Sequence, residues 1–263
     1  MSIIDLEQRT NYSVYNFNKK QIVLYDDHRC LLNVLYEAKQ EFGCAHDVFY
    51  FDNHDDAKDL NPNEVKEIIG LGTNYSLQNL WNFVEFTSAP EDDSWLNAGF
   101  ELGLINNAIV FGAGIEDSNV RFLPRNQYID LRLRHHFAYS ILDAVNWSEM
   151  YYTYDSVAGI EKKQVDLIKQ SSGFILDFDL DCFASYIQGI VGGEYIAVPE
   201  SMFCKWINNR YLKTLMDDLI DKANVITICM EPSCCGGLGE SYKILYLLDR
   251  YLFKGRLGTT PKR

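Results

Sequence analysis

The fold is decided most clearly by residues 173–181, which read GFILDFDLD. The apolar run at the start of this stretch predicts a buried β-strand over residues 174–178. Three acids, Asp177, Asp179 and Asp181, occupy every second position after it. Because side chains alternate across a strand, all three are expected on one face. Several carboxylates on one buried face repel each other unless a cation lies among them, so the stretch indicates a metal site.

Strands and helices alternate on both sides of this stretch. Further strands are predicted over 21–25, 48–51, 108–111 and 225–230, and helices over 29–41, 62–69, 95–104, 199–222 and 240–253. The helix from Pro62 has the clearest start, with Asn61 as N-cap and Glu64 completing a capping box. Alternation of this kind predicts an α/β three-layer sandwich with a mostly parallel central sheet. Residues 115–160 mix helix and strand signals and are left unassigned.

The chain is expected to form one domain over residues 1–263. Hydrophobic residues make up 47% and charged residues 23%, which is ordinary globular usage, and neither a repeat nor a Pro-rich or Gly/Ser-rich linker divides the chain. The basic segment 254–263 is expected to be a flexible tail.

Composition also limits the partners and the location. A formal charge of −13 repels phosphate backbones, so nucleic acid is not expected as a partner, although acidity also serves solubility alone. No apolar stretch approaches the roughly 18 residues that span a bilayer, and the start lacks a signal-peptide pattern, so no membrane partner is expected. Seven cysteines without a CxxC pair fit the reducing cytoplasm better than a disulfide framework.

Two other predicted strands also end in acids and histidines, YDDH at 25–28 and DNHDD at 52–56. In an open parallel sheet, ligands bind beyond the carboxyl ends of the strands, so the three clusters can converge in one crevice. Hard oxygen ligands with two imidazoles suit a pair of divalent ions, of which Mn²⁺ fits best. Each cluster alone also reads as ordinary structure: a helix cap, an acidic turn or a solvated edge strand. Their occurrence together favours the metal site.

The motifs resemble those of the ureohydrolase superfamily, the arginases and agmatinases. That family carries a DH strand end, a DxHxD motif, an FDxD motif and a later glutamate followed by proline. The matching residues here are Asp27-His28, then Asp52, His54 and Asp56, then Asp179 and Asp181, and finally Glu231. The resemblance implies an arginase/deacetylase-like sandwich fold and two Mn²⁺ ions.

The resemblance also implies a role for each residue. Asp52 and Asp179 would bridge the two ions. His28 and Asp56 would complete the coordination of one ion, and His54 and Asp181 that of the other. Asp56 would also hold the hydroxide that attacks the substrate, and Glu231 would bind the guanidinium group. The acids expected to orient the ligands through hydrogen bonds are Asp27, Asp55 and Asp177.

The stretch after DxHxD departs from the arginases of free amino acids. It reads AKDLNPNEVKEIIG at residues 57–70 and lacks both the polar grip for free α-groups and the proton-shuttling histidine. The chain is therefore similar to the divergent peptide arginases, which form ornithine in ribosomally made peptides. An arginine-containing precursor peptide is the expected partner, with ornithine residues and urea as products.

Three alternatives stay open. A small-molecule amidinohydrolase acting on arginine or agmatine would use the same metals. A deacetylase would share the sheet but normally holds one zinc and a different histidine pair. A non-catalytic protein could bind basic peptides in an acidic pocket. Of the remaining candidates, His135 or His136 could shuttle protons, although packing is the simpler explanation; His46 is interpreted as structural, and Cys234 and Cys235 as inert thiols.

Overall fold

The computed structural model describes residues 12–52, 54, 56–88, 94–111, 173–189, 192–208 and 210–259. Over these residues the protein is α/β, with a mostly parallel mixed sheet of six strands flanked by helices. This architecture is compatible with the predicted three-layer sandwich. The whole of the unassigned middle of the chain, residues 115–160 with His135 and His136, lies outside the described residues.

The elements follow in the predicted alternation, with additions. The strands are β1 (Tyr12–Phe17), β2 (Lys20–Tyr25), β3 (His46–Phe51), β4 (Ile105–Phe111), β5 (Phe174–Asp179), β6 (Ala184–Gly189), β7 (Gly192–Ala197) and β8 (Val225–Cys229). The helices are α1 (Leu31–Phe42), α2 (Pro62–Leu71), α3 (Leu77–Phe86), α4 (Trp95–Glu101), α5 (Glu200–Ile207), α6 (Arg210–Lys222) and α7 (Leu238–Tyr251). The longest of these helices has 14 residues. None of the helices in the described part of the chain has the length and apolar character needed to cross a membrane.

The main sheet has the strand order β1-β2-β8-β5-β3-β4. Only β1 runs antiparallel to its neighbour, and the other pairs are parallel. β2, β8, β5 and β3 therefore end at the same edge, where Tyr25 and Asp179 both pair with Cys229 and Phe51 pairs with Phe178. This register brings the polar residues that follow β2, β3, β5 and β8 to one edge of the sheet.

The central strands are buried along their whole length. Every residue of β5 and β8 is buried, as expected for parallel strands covered on both faces. Phe51 and Phe178 stack with centroids 5.2 Å apart, and Phe49 packs edge-on against Phe174 at 4.3 Å. The apolar runs predicted as strands from the sequence thus form the rigid centre on which the polar edge is built.

The predicted capping box of α2 is confirmed. The Asn61 side chain accepts from the backbone N–H groups of Asn63 and Glu64, and Glu64 accepts in return from the backbone N–H of Asn61. Glu64 is fully buried. Besides the cap, it accepts a hydrogen bond from the hydroxyl of Ser94, 2.8 Å away.

Several predicted boundaries differ from the structure. The helix predicted over 199–222 is two helices, α5 and α6, and α5 ends just before Asn208, a poor helix former. The helix predicted over 95–104 ends at Glu101, because the chain turns at Gly103 with a φ of 67°. Strand β1, helix α3 and the hairpin β6-β7 were not predicted.

The start of the basic tail packs against the domain, in contrast to the flexible tail predicted from residue 254. Leu257 is 4% exposed, and the buried carboxylate of Asp249 accepts its backbone N–H at 2.9 Å. The same carboxylate accepts the backbone N–H and the hydroxyl of Thr259. The buried acid therefore holds the chain as far as Thr259, and residues 260–263 lie outside the described part.

Candidate metal centre

Seven predicted site residues follow the carboxyl ends of four neighbouring strands. His28 lies in a 3₁₀ turn after β2, and Asp181 lies in a second 3₁₀ turn, Leu180–Phe183, after β5. The others are Asp52, His54 and Asp56 after β3, Asp179 at the end of β5, and Glu231 after β8. The strand register brings these segments together at one edge of the sheet.

His28 lies at the centre of one group of ligands. Its Nδ1 atom is 2.6 Å from Asp56 Oδ2, 3.3 Å from Asp52 Oδ2 and 3.2 Å from Asp179 Oδ2. His28 is 5% exposed and the three acids are buried. One imidazole nitrogen therefore faces three carboxylates, and His28, Asp52 and Asp56 each offer a ligand atom within 4.8 Å of the others.

His54 lies at the centre of a second group. Its Nδ1 atom is 3.0 Å from Asp181 Oδ2 and 3.6 Å from Asp52 Oδ1. Ligand atoms of Asp52, His54 and Asp181 also lie within 4.8 Å of one another. Asp52 thus belongs to both groups and turns one oxygen toward each histidine. The His54 side chain is 37% exposed, so this group lies on the solvent side.

Two buried oxygens in the centre have no hydrogen-bond partner among the described residues: Oδ2 of Asp52 and Oδ2 of Asp179. The Nδ1 atom of His28 lies within ion-pair distance of both, at 3.3 and 3.2 Å. Buried polar atoms are nearly always paired, and a carboxylate pays a large desolvation cost when it is not. Two unsatisfied oxygens facing the same imidazole fit a cation bound between them.

The pKa shifts of the buried acids in the protein without metal also favour a bound cation. Burial raises the pKa of Asp52 well above its ordinary value, and neighbouring carboxylates raise it further. Burial and the charges of Asp181 and Glu231 do the same to the pKa of Asp179. Without a cation the cluster can hold its negative charges only at high cost, so it retains protons instead.

His28 and Asp56 behave as an ion pair inside this cluster. Burial works against a charged His28, but the carboxylates of Asp56 and Asp177 outweigh it and raise the pKa of His28 well above its ordinary value. Burial also works against a charged Asp56, yet His28 lowers the pKa of Asp56 to about 2. In the protein without metal, the positive charge among these acids is therefore carried by the protonated imidazole of His28.

The stability of the metal-free protein is expected to fall as pH rises from about 4 to 8. Groups that hold protons more tightly when folded lose stabilising power with rising pH, and the raised pKa values of Asp52, Asp179 and His28 all have this sign. The slope is about 1.4 kcal/mol per pH unit for each proton retained. The lowered pKa of Asp56 makes stability rise with pH instead, but this effect is confined to pH values below about 4.

Manganese is expected to reverse this trend, because bound ions displace the retained protons and bind more tightly as pH rises. Thermal unfolding measured across this pH range, with EDTA and with excess Mn²⁺, checks both parts. A metal-free protein that gains stability steadily up to pH 8 would contradict this description of the centre.

Asp177 holds His28 from the side opposite the acid cluster. Its Oδ2 lies 2.8 Å from His28 Nε2, and its Oδ1 accepts hydrogen bonds from the hydroxyls of Tyr25 at 2.7 Å and Thr227 at 2.5 Å. Both oxygens are therefore engaged by protein groups. These contacts fix the orientation of the His28 imidazole and leave its Nδ1 atom facing the acid cluster.

Asp27 is placed differently from the prediction. Its carboxylate accepts from the backbone N–H and the Nε of Arg29, at 3.2 and 2.9 Å, and caps the 3₁₀ turn that carries His28. It serves as a turn residue, because the neighbouring arginine engages both of its oxygens. Asp55 lies outside the described residues.

Glu231 lies close to two of the candidate metal ligands. Ligand atoms of Asp179, Asp181 and Glu231 lie within 4.8 Å of one another. Burial raises the pKa of Glu231. Glu231 has a φ of 31° and Asp56 a φ of 51°, a left-handed region that side chains other than glycine rarely adopt. Backbone strain of this kind is concentrated at functional sites.

The donor set of the centre is oxygen and imidazole. Burial raises the pKa values of Cys182, Cys229 and Cys235, so these thiols stay neutral. Cys235 is fully buried, and its thiol is 3.5 Å from the carbonyl of Met230, in line with the inert role predicted for it. His46 lies at the amino end of β3, where its Nε2 is 3.3 Å from Asn224 Nδ2.

Among the described residues, contacts with the site that were not predicted include those of Tyr25, Thr227 and Trp95. The indole Nε1 of Trp95 donates to Asp56 Oδ2 at 2.5 Å. The only sequence signal for Tyr25 and Thr227 is a polar atom inside a predicted buried strand, which requires a partner.

Comparisons with known proteins give no assignment. No protein-family model matches the chain, and no curated protein matches it significantly. The functional argument therefore depends on the residues and their geometry.

Proposed function

We propose that this protein is a binuclear, manganese-dependent amidinohydrolase. It converts arginine residues of a peptide into ornithine residues and releases urea. The observation that carries the proposal is the position of Asp52, which turns one oxygen toward each of two histidine and carboxylate groups. Its buried Oδ2 and that of Asp179, for which the described residues supply no hydrogen bond, support a pair of cations rather than a hydrogen-bonded acid cluster.

The side chains present fit the role of ligands. His28 and Asp56 would hold one ion, His54 and Asp181 the other, and Asp52 and Asp179 would contact both. A pair of divalent ions lowers the pKa of a shared water, so that hydroxide is available near neutral pH. Hard oxygen ligands with imidazole, and neutral thiols nearby, favour Mn²⁺ over a structural zinc site.

Two acids, Glu231 and Asp56, take part in the remaining steps of the reaction. Glu231, as a carboxylate, accepts N–H groups of the planar guanidinium and holds its carbon against the centre. The water oxygen, which has released one of its two protons to solvent, bonds to that carbon, and the bond from the carbon to the side-chain nitrogen of arginine breaks. A proton from the water, held at Asp56, passes to the departing nitrogen, which leaves as the amine of ornithine. The other product is urea.

A peptide substrate is favoured by the segment that follows the DxHxD motif. Residues 57–70 contain no histidine, and two of their polar side chains, Asn61 and Glu64, are engaged in the capping box of α2. Glu64 is fully buried and also accepts from Ser94. These side chains are therefore occupied and do not grip the free α-amino and α-carboxylate groups of an amino acid.

The proposal predicts that Mn²⁺-loaded protein releases urea from an arginine-containing peptide with blocked termini. It should do so with kcat/KM at least about 10-fold above that for free arginine or agmatine, a difference of about 1.4 kcal/mol. Mass spectrometry should show loss of CH₂N₂ from the arginine residue. Preference for agmatine or arginine would indicate a small-molecule amidinohydrolase, and tight peptide binding without urea would indicate a non-catalytic binder.

A further inference from the structure

Trp95 contacts two of the proposed ligands at once. It is the first residue of α4 and is 2% exposed. Its indole Nε1 donates to Oδ2 of Asp56 at 2.5 Å. Its ring lies against the imidazole of His28, with centroids 4.8 Å apart and an interplanar angle of 38°. One side chain thus touches the two residues that would complete the same metal ion.

The contact with Asp56 fixes both the side chain and the backbone of that residue. Oδ2 of Asp56 also lies 2.6 Å from Nδ1 of His28, so the indole and the imidazole contact the same oxygen. The backbone N–H of Leu96 donates to the carbonyl of Asp56 at 3.3 Å. The positive φ of Asp56, 51°, is unfavourable for an aspartate, so contacts from the start of α4 help to hold it there.

Trp95 is itself held by buried contacts that do not involve the ligands. The hydroxyl of the preceding residue, Ser94, donates to the buried carboxylate of Glu64 at 2.8 Å. Glu64 in turn belongs to the capping box of α2. The indole also packs against Tyr50 of β3, with centroids 5.5 Å apart. The position of the indole is therefore set by the scaffold before any ion binds.

We propose that Trp95 is a positioning residue for the metal centre. Its N–H engages Oδ2 of Asp56, the oxygen that faces Nδ1 of His28, and so fixes the orientation of this carboxylate, while its ring holds the imidazole of His28 in place. A carboxylate with two free oxygens can rotate or chelate, whereas one held by an N–H donor keeps a single orientation. Groups that orient ligands in this way typically contribute 10–100-fold to metal affinity. The inference depends on the metal-binding part of the proposed function.

The test compares Trp95→Phe with Trp81→Phe. Trp81 lies on α3 and packs against Tyr12, with centroids 5.7 Å apart, so the control makes the same change away from the centre. Mn²⁺ binding is followed by the electron paramagnetic resonance signal of the free ion. We expect Trp95→Phe to bind one of the two ions about 10–100-fold more weakly and Trp81→Phe to match the parent protein. Parent-like affinity for both ions in Trp95→Phe would overturn the inference.

A second measurement does not depend on Trp95→Phe folding. In a variant whose other three tryptophans are replaced by phenylalanine, leaving Trp95 as the sole tryptophan, paramagnetic Mn²⁺ should quench the emission as it binds. Emission that stays constant while Mn²⁺ binds would overturn the inference. If the parent protein binds no Mn²⁺ at all, the proposed function fails; if it binds two ions and Trp95→Phe does too with equal affinity, only the role of Trp95 fails.

Discussion

Replacing Asp52 by asparagine is expected to abolish tight binding of both Mn²⁺ ions and to stabilise the metal-free protein. Asp52 turns an oxygen to each histidine, so its loss weakens both positions. We expect affinity to fall by more than about 100-fold, beyond the 10–100-fold typical for a group that only orients a ligand. Without metal, the same change removes a buried acid whose charge is opposed by burial and by neighbouring carboxylates, a gain of about 1–2 kcal/mol.

Thermal unfolding with and without Mn²⁺, together with calorimetric titration, measures both effects of Asp52→Asn. The matched control is Asp47→Asn on the same strand, where Asp47 Oδ1 accepts from Asn107 at 2.6 Å near the opposite end of β3. The control should retain the stabilisation by Mn²⁺. Two tightly bound ions in Asp52→Asn would show that this residue is not shared between them.

Replacing Glu231 by glutamine is expected to lower kcat/KM for a peptide substrate by about 10²–10³-fold, or about 3–4 kcal/mol. The amide keeps the shape of the side chain but loses the charge that pairs with guanidinium. If Glu231 is the substrate clamp, two Mn²⁺ ions should remain bound. The alternative is that Glu231 is itself a metal ligand, because its carboxylate lies within 4.8 Å of possible ligand atoms of Asp179 and Asp181.

The control for Glu231→Gln is Glu200→Gln, which neutralises a surface acid paired with Arg250. It should leave both turnover and metal content unchanged. Loss of one ion in Glu231→Gln would reassign Glu231 as a metal ligand, and unchanged turnover would remove it from the reaction altogether.

Much of the polar edge could be predicted because it depends on local rules. An apolar run followed by acids marks the carboxyl end of a buried strand, and parallel strands place such ends side by side. From these rules, His28, Asp52 and Asp179 were predicted to lie at one edge of the sheet. The capping box at Asn61 was predicted for the same reason, since its signal lies within four residues.

The contacts that hold the ligands could not be predicted, because they depend on register across the sheet and on helix packing. Asp177 meets Thr227 only because β5 and β8 pair in one particular register. Trp95 reaches Asp56 only because the first residue of α4 lies beside Tyr50, near the end of β3. Strict alternation also failed beyond Asp179, where the chain leaves the strand and enters a 3₁₀ turn that presents Asp181.

The central claim is that six side chains from three strand ends bind two divalent ions together. Anomalous scattering from crystals grown with Mn²⁺ and without chelator tests it most directly. The claim predicts two anomalous peaks about 3.5–4 Å apart, with Asp52 and Asp179 between them, His28 beside one peak and His54 beside the other. A single peak outside this cluster, or none, would contradict it.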